Sequence, residues 1–145
     1  MAYTSTANLR AYKNNPEILQ DKGGDVATLI DELQAGAAAY DAVAGTTQQA
    51  AGSANYIPNN ASLVTITLPI TAAVGSRLRV VGLGAGGWRV AQNASQLIHK
   101  SGTATTIGTG GHIDSSNRYD AATLVCIVAN TEWSIVDSQG TIATT

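Results

Sequence analysis

Apolar and polar residues alternate in short stretches throughout the second half of the chain. Because the side chains of a β-strand point alternately to its two faces, each stretch predicts a strand with one buried face. Turn-forming residues separate the stretches, which is typical of an antiparallel β-sandwich of the jelly-roll kind, and the predicted fold class is mainly β. The predicted strands are residues 63–68, 78–81, 88–92, 96–100, 105–107, 122–129, 132–137 and 141–143.

A glycine-rich segment, GLGAGG at residues 82–87, follows the strand pattern of residues 77–81. It satisfies the G-x-G-x-x-G pattern of dinucleotide sites, where glycines let the backbone approach a pyrophosphate at a helix N-terminus. Strand-like alternation resumes at Trp88, however, and no acidic residue lies between Gly87 and Asp114. The pattern therefore favours a tight turn that joins two strands of a β-hairpin over a nucleotide site.

The first half of the chain follows a different pattern. Apolar residues at spacings of three and four, between an aspartate cap and a terminal glycine, predict one α-helix over residues 25–45. Residues 1–24 hold only one short helix-start signal and are predicted to form an arm. Residues 46–61, rich in Gln, Ala, Gly, Ser and Asn, predict an extended linker. The β-sandwich domain is accordingly placed at residues 62–145.

The apolar side chains of the arm and the helix need a surface to cover them. The helix stripe suits packing on the chain's own sandwich, or self-association, which its near-heptad spacing favours. The arm is too short to order itself, so its apolar side chains are predicted to become buried on a partner. The arm residues are Leu9, Tyr12, Ile18 and Leu19, and the helix stripe includes Val26, Leu29, Ile30 and Leu33.

Charge and composition narrow the partners. Ten acidic and eight basic residues give a net charge of -2, so no basic surface indicates a nucleic-acid partner. The chain shows neither a signal peptide nor an apolar run of membrane-spanning length, which predicts synthesis in a cytoplasm and no membrane partner. The single cysteine, Cys126, lies in an apolar strand pattern and is predicted to be a buried small hydrophobic residue.

Candidate chemistry is sparse. His99, His112, Asp114 and Asp120 match no recognised metal-ligand spacing, and no nucleophile motif or carboxylate pair is present. The sequence therefore predicts no enzyme activity, no cofactor and no metal. The aromatic and amide groups of the segment 115–120, SSNRYD, could contact a sugar or could fasten a loop.

Four sequence pieces resemble a module of tailspikes, tail fibres and related virion proteins of tailed bacteriophages. They are GAGGWRVAQNASQLIH at residues 84–99, IGTGG at 107–111, SSNRYD at 115–120 and LVCIVANTEWSIVDSQG at 124–140. The resemblance extends over residues 59–142. It implies a trimeric β-sandwich displayed at the outer end of a virion protein, sometimes with a role in host recognition.

The resemblance does not cover residues 1–58, which supply a short arm, a helix and a linker. In overall build the chain is most similar to a capsid cement, or decoration, protein whose N-terminal parts grip the capsid shell. This implies a homotrimer bound to the major capsid protein on the outer surface of a virion, with a host surface glycan as a further partner. The alternative is the receptor-binding, carbohydrate-binding module of a tail fibre or tailspike. The candidate contacts are Leu9, Tyr12, Ile18 and Leu19 for the capsid, Val26, Leu29, Ile30 and Leu33 for the trimer, and His112, Asn117, Arg118 and Tyr119 for the receptor.

Overall fold

The computed structural model describes residues 39–145, and these residues form twelve β-strands and no helix. The predicted mainly β fold is thus confirmed for this part of the chain. In chain order the strands are β1 (Tyr40–Val43), β2 (Thr47–Gln49), β3 (Ala54–Pro58), β4 (Val64–Thr67), β5 (Arg77–Val81), β6 (Trp88–Ala91), β7 (Leu97–Lys100), β8 (Thr103–Ala104), β9 (His112–Ser115), β10 (Ala121–Val128), β11 (Glu132–Gln139) and β12 (Ala143–Thr144).

The strands form two sheets that share one hydrophobic core, a sandwich-like arrangement. The larger sheet has the order β1-β3-β5-β10-β11-β7-β8, and the smaller has the order β12-β9-β6-β4-β2. Alternate residues of the central strands are buried, as in β4 and β6, because their inner faces meet the other sheet. The core contains Val43, Ala50, Tyr56, Val64, Ile66, Leu68, Ala72, Leu78, Val80, Trp88, Val90, Ile98, Ile113, Ala122, Leu124, Cys126, Trp133 and Ile142.

The first six strands alternate between the two sheets. In the larger sheet β1, β3 and β5 are parallel neighbours, and in the smaller sheet β2, β4 and β6 are parallel neighbours. Each consecutive pair of strands, one in each sheet, is here called a rung. The three rungs, β1–β2, β3–β4 and β5–β6, stack on each other. Antiparallel pairing begins after them, where β10 joins β5 to β11 and β9 joins β6 to β12.

The prediction of an antiparallel, jelly-roll-like sandwich is wrong in this respect. Of the ten strand pairs among the described residues, five are parallel. The predicted hairpin over the glycine segment is also wrong, since β5 lies in the larger sheet and β6 in the smaller one. Alternating hydrophobicity places a strand and its buried face but does not name the neighbouring strand.

The predicted helix and linker also need correction where the structure describes them. Residues 40–43, placed at the end of the helix over residues 25–45, form β1 and pair with β3; the rest of that helix lies outside the described residues. The predicted linker, residues 46–61, contains β2 and β3. Tyr56 of β3 is only 2 % exposed, and its hydroxyl accepts a hydrogen bond from the Ala51 amide at 3.1 Å. The compact β unit begins at Tyr40 and not at residue 62.

The prediction that Cys126 is buried is confirmed, because its side chain is fully enclosed between the sheets. Trp88 of the smaller sheet and Trp133 of the larger sheet are likewise fully buried and are the largest side chains of the core. Cys126 is paired with Trp133 across β10 and β11, and a small thiol beside a bulky ring is consistent with close packing of an interior.

The corrected boundary makes a direct prediction about truncation. A chain of residues 39–145 should unfold cooperatively, whereas a chain of residues 62–145 should not fold. The shorter chain lacks β1 to β3, so one edge of β4 and one edge of β5 are exposed and Tyr56 is missing from the core. Thermal unfolding followed by circular dichroism checks this. A cooperative transition for residues 62–145 would instead support the boundary at residue 62 that the sequence predicted.

Candidate functional site

The two ends of the strands carry different groups of loops. One end, here called the glycine end, holds residues 58–63, 82–87 and 115–120, which adjoin β4, β5 and β10. The opposite end of the same strands, here called the amide end, holds residues 68–76 and 92–96 together with the turn after β10. Loops on a rigid strand framework are common positions for binding groups, so either end could carry a functional site.

Backbone packing explains the glycines of the first loop group. A Cβ atom on Gly84 would overlap the backbone of Asn60, and one on Gly86 would overlap the backbone of Ser62. Gly87 has a φ of 72° and faces the carbonyl of Ser115. The glycine segment is thus pressed against two other loops, and a strand follows it, so the space that a pyrophosphate would need is filled by protein backbone.

Asp120 links the loop 115–120 to Thr141 and, through its backbone carbonyl, to Gly82 of the glycine segment. Its side chain is 8 % exposed and accepts hydrogen bonds from the Ser115 hydroxyl at 2.5 Å, the Thr141 amide at 2.9 Å and the Asn117 amide group at 3.4 Å. The Ser115 bond, helped by those from Thr141 and Asn117, holds the pKa of the Asp120 carboxyl below its ordinary value, against the opposing effect of burial. The Asp120 backbone carbonyl also accepts the indole N–H of Trp88 at 3.0 Å. Asp120 is therefore a structural anchor.

Arg118 and Tyr119 directly precede Asp120 in the same loop. Tyr119 is 60 % exposed, and its backbone has a φ of 69°, which is rare for an aromatic residue. The Arg118 guanidinium lies over the Tyr119 ring, 5.4 Å from the ring centre, and its Nε donates to the Leu83 carbonyl at 2.9 Å. The result is an exposed aromatic ring with a cation on one side.

The structure brings together three of the four predicted receptor contacts. Asn117, Arg118 and Tyr119 are consecutive in one exposed loop. His112 lies at the other end of β9, opposite Ala91, where its Nδ1 is 3.0 Å from the Gly110 carbonyl. The prediction grouped these residues by chain proximity, but the length of β9 separates His112 from the glycine end.

The amide end is built on buried side-chain amides. Gln96 is 1 % exposed; its amide nitrogen donates to the carbonyls of Pro69 at 2.8 Å and Asn130 at 2.9 Å, and its oxygen accepts the Asn93 backbone amide at 2.9 Å. Asn93 in turn donates to the Leu68 carbonyl at 2.7 Å. Every polar atom of the Gln96 amide is paired, as burial requires. These bonds tie three loops into one rigid unit.

A second buried amide, Gln92, fixes the next loop. Its nitrogen lies 3.1 Å from the carbonyls of Thr106 and Gly108, and its oxygen accepts the Thr105 hydroxyl. The Thr105 hydroxyl oxygen also accepts the Ile98 amide at 2.9 Å. No pattern in the sequence distinguished Gln92 and Gln96 from exposed polar residues, although Gln92 falls on the same face as Trp88 and Val90 of β6.

Four exposed apolar side chains lie at the amide end. The loop before β5 is bonded to the end of β10, since the Gly75 amide donates to the Cys126 carbonyl and the Asn130 amide to the Ala72 carbonyl. A shallow groove of about 380 Å³ runs beside these segments, between the loop before β5 and residues 93–96. The exposed apolar residues on the two bonded segments, here called the apolar patch, are Ile70 at 70 %, Val74 at 66 %, Ile127 at 43 % and Val128 at 45 % exposure.

The residues considered for metal binding do not converge. The Nε2 of His99 lies 2.8 Å from a carboxylate oxygen of Glu132, and the Nε2 of His112 lies 3.8 Å from a carboxylate oxygen of Asp114, which also pairs with Arg89 at 2.9 Å. Within residues 39–145 no three metal-ligating side chains of His, Cys, Asp or Glu come together. Over the same range no helix is long and apolar enough to cross a bilayer.

The predicted capsid and trimer contacts lie outside the described residues. These are Leu9, Tyr12, Ile18 and Leu19 of the arm, and Val26, Leu29, Ile30 and Leu33 of the helix stripe. They stay predictions.

Comparison of the chain with protein-family models and with curated proteins finds no match. The similarity to phage virion modules therefore rests on the sequence pieces described above, and what it implies for function is a proposal.

The packing of the glycine end predicts a contrast between glycines. Gly84→Ala should lower the free energy of unfolding by about 1–3 kcal/mol, because the new methyl group meets the Asn60 backbone, which cannot move without opening the loop. Gly110→Ala is the matched control, because no atom lies within 4 Å of its added Cβ, and it should change stability by less than about 0.5 kcal/mol. Urea unfolding measures both, and equal effects would contradict the packing argument.

The anchor role of Asp120 predicts a pH-dependent effect. Asp120→Asn should destabilise the domain by about 1–3 kcal/mol at pH 7. Since the folded pKa is lowered from 3.8, the carboxylate's stabilisation is fully present above that value and is lost as pH falls through the folded pKa. The gap between wild type and variant should therefore narrow on acidification. Chemical unfolding at pH 7 and pH 3 checks this, with exposed Asp137→Asn as control; a gap that widens in acid would refute it.

Proposed function

We propose that this chain is a structural virion protein, a trimeric decoration protein that binds and reinforces the outer surface of a tailed-phage capsid. The resemblance of residues 59–142 to a virion module supports this role. The mainly β architecture also suits it, because hydrogen bonds hold the loops together at both ends of the described domain.

The apolar patch carries the proposal. Ile70, Val74, Ile127 and Val128 lie exposed on two hydrogen-bonded segments at one end of the domain. Clustered exposed apolar side chains mark an interaction surface more often than scattered ones do. Loss of this area from water on contact with a neighbouring copy would contribute free energy to assembly, at roughly 25 cal/mol per Å² of apolar surface. The neighbouring copy in the trimer is the occupant we assign.

The contrast between the ends supports an oriented assembly. The apolar patch lies at the amide end, whereas the exposed Arg118 and Tyr119 lie at the glycine end, about one strand length away. A trimer that covers the patch leaves the glycine end directed away from the shared contact. In this arrangement the arm residues of 1–24 bind the shell, and the helix stripe adds to the trimer.

The oligomeric state and the location in particles test the proposal together. The full chain should have the mass of a trimer at micromolar concentration by light scattering, and antibody labelling of purified particles should place many copies on the capsid surface. A stable monomer, or a few copies confined to the tail, would overturn the decoration role.

One substitution tests whether the apolar patch is the contact. Val74→Asp should weaken the trimer by at least about tenfold, because a carboxylate in an apolar contact loses its hydration. Val136→Asp is the matched control, since Val136 is 58 % exposed but belongs to β11 and lies outside the patch. Analytical ultracentrifugation measures both variants. A trimer that is weakened only by Val136→Asp would move the contact to the outer face of the larger sheet.

A further inference from the structure

From the glycine end we infer that Arg118 and Tyr119 form a binding site for an acidic saccharide, a pyranose that carries a carboxylate. This inference goes beyond the proposed assembly role and does not depend on it. Its elements are one exposed ring, one exposed cation and a base that holds both in place.

The backbone, and not the Tyr119 ring, fastens this loop. The Tyr119 amide donates to the Gly82 carbonyl at 2.6 Å, and the next residue, Asp120, is anchored by Ser115 and Thr141. The Tyr119 ring is 60 % exposed. A ring that only secured the loop would be buried against it, so the exposure leaves the ring available to a ligand.

The backbone conformation of Tyr119 adds a second argument. Its φ of 69° lies in the left-handed region, where glycine and asparagine are accepted more readily than tyrosine. A bulky residue remains in such a conformation only where its surroundings hold it, and such positions concentrate at binding sites. Stability alone therefore does not account for tyrosine at this position.

The chemistry of the two side chains selects the ligand class. One face of the Tyr119 ring is available for the apolar C–H face of a sugar, while the Arg118 guanidinium lies on the ring's other side. Nε of Arg118 already bonds to the Leu83 carbonyl, which leaves the two terminal nitrogens for a carboxylate. In the loops of the glycine end, all within the described residues, Arg118 is the only exposed charged side chain, so no acidic group competes for it.

The glycine end is also preorganised for binding. Gly84 and Gly86 press their segment against residues 60–62, and the Asp120 bonds close the third loop. A ligand that meets a fixed ring and a fixed guanidinium loses less free energy to ordering than one that must arrange mobile loops. The base of the site is therefore already in its binding geometry.

Saturation-transfer NMR on the full chain tests the inference with two probes, methyl glucuronide and its neutral counterpart methyl glucoside, followed by an array of bacterial oligosaccharides with and without uronic acids. We expect signal transfer to the glucuronide, stronger than to the glucoside, and array binding concentrated on acidic glycans. Absence of binding on both the NMR panel and the array would overturn the proposal. Preference for neutral sugars would overturn the assigned role of Arg118.

The variants separate binding from folding. Tyr119→Asn should fold at least as well as wild type, because asparagine tolerates the left-handed conformation, and should bind the best array glycan at least about tenfold more weakly. Tyr119→Phe should retain binding, and Arg118→Gln should lose the preference for acidic over neutral sugars. Tyr40→Ala is the matched control, since Tyr40 also lies under an arginine, Arg79 at 5.9 Å, but on the outer face of the larger sheet. Unchanged binding in folded Tyr119→Asn would refute the site.

Discussion

The crossing of the chain between the two sheets after each of the first six strands is the constraint on which the rest of the structure depends. Two successive crossings bring the chain back to the same sheet, where the new strand lies beside the earlier one. Because the chain reverses direction at each of the two crossings, these neighbouring strands run parallel. Every crossing also passes over one of the two ends of the domain. The loops there are consequently crowded against each other, and the crowding explains both the glycines at one end and the buried amides at the other.

The two ends solve the same physical problem with different chemistry. Crowded loops bury backbone carbonyls and amides, and a buried polar group without a partner costs about 1–3 kcal/mol. At one end a carboxylate, Asp120, accepts the free N–H and O–H groups; at the other, Gln92 and Gln96 donate to the free carbonyls. The type of side chain matches the backbone groups that lack partners, since an ionised carboxylate only accepts hydrogen bonds and a primary amide can donate two. Neither end leaves its loops free to move independently.

The sequence predicted most of the central strands and little of their arrangement. Residues 63–68 and 77–81 alternate because one face of β4 and β5 is buried, so the pattern located them correctly. The edge strands β1 and β2 were missed because only one side of each has a neighbour in the described sheets, and their residues are correspondingly half exposed. Strand pairing escaped prediction for a different reason: a glycine turn reverses the chain equally well within a sheet and between two sheets.

The candidate site was predicted in part for similar reasons. Asn117, Arg118 and Tyr119 were found because a polar and aromatic segment between strands is exposed wherever the strands pair. The anchoring role of Asp120 could not be predicted, since its partner Thr141 is distant in sequence and becomes a neighbour only through the pairing of β10 with β11. A buried carboxylate and an exposed one are identical as letters in a sequence.

The stacking of three rungs has a consequence for the order in which the domain comes apart. The long strands β10 and β11 pair through a short turn, so they lose little chain entropy when they meet, and they can pair before distant strands join them. In the larger sheet each strand then adds to the one already in place, β5 on β10, β3 on β5 and β1 on β3. A force applied through residues before Tyr40 acts on β1, the last strand of that series. Under load the domain would yield by detaching one rung at a time, with the strands nearest the N-terminus released first and the pairing of β10 with β11 left intact.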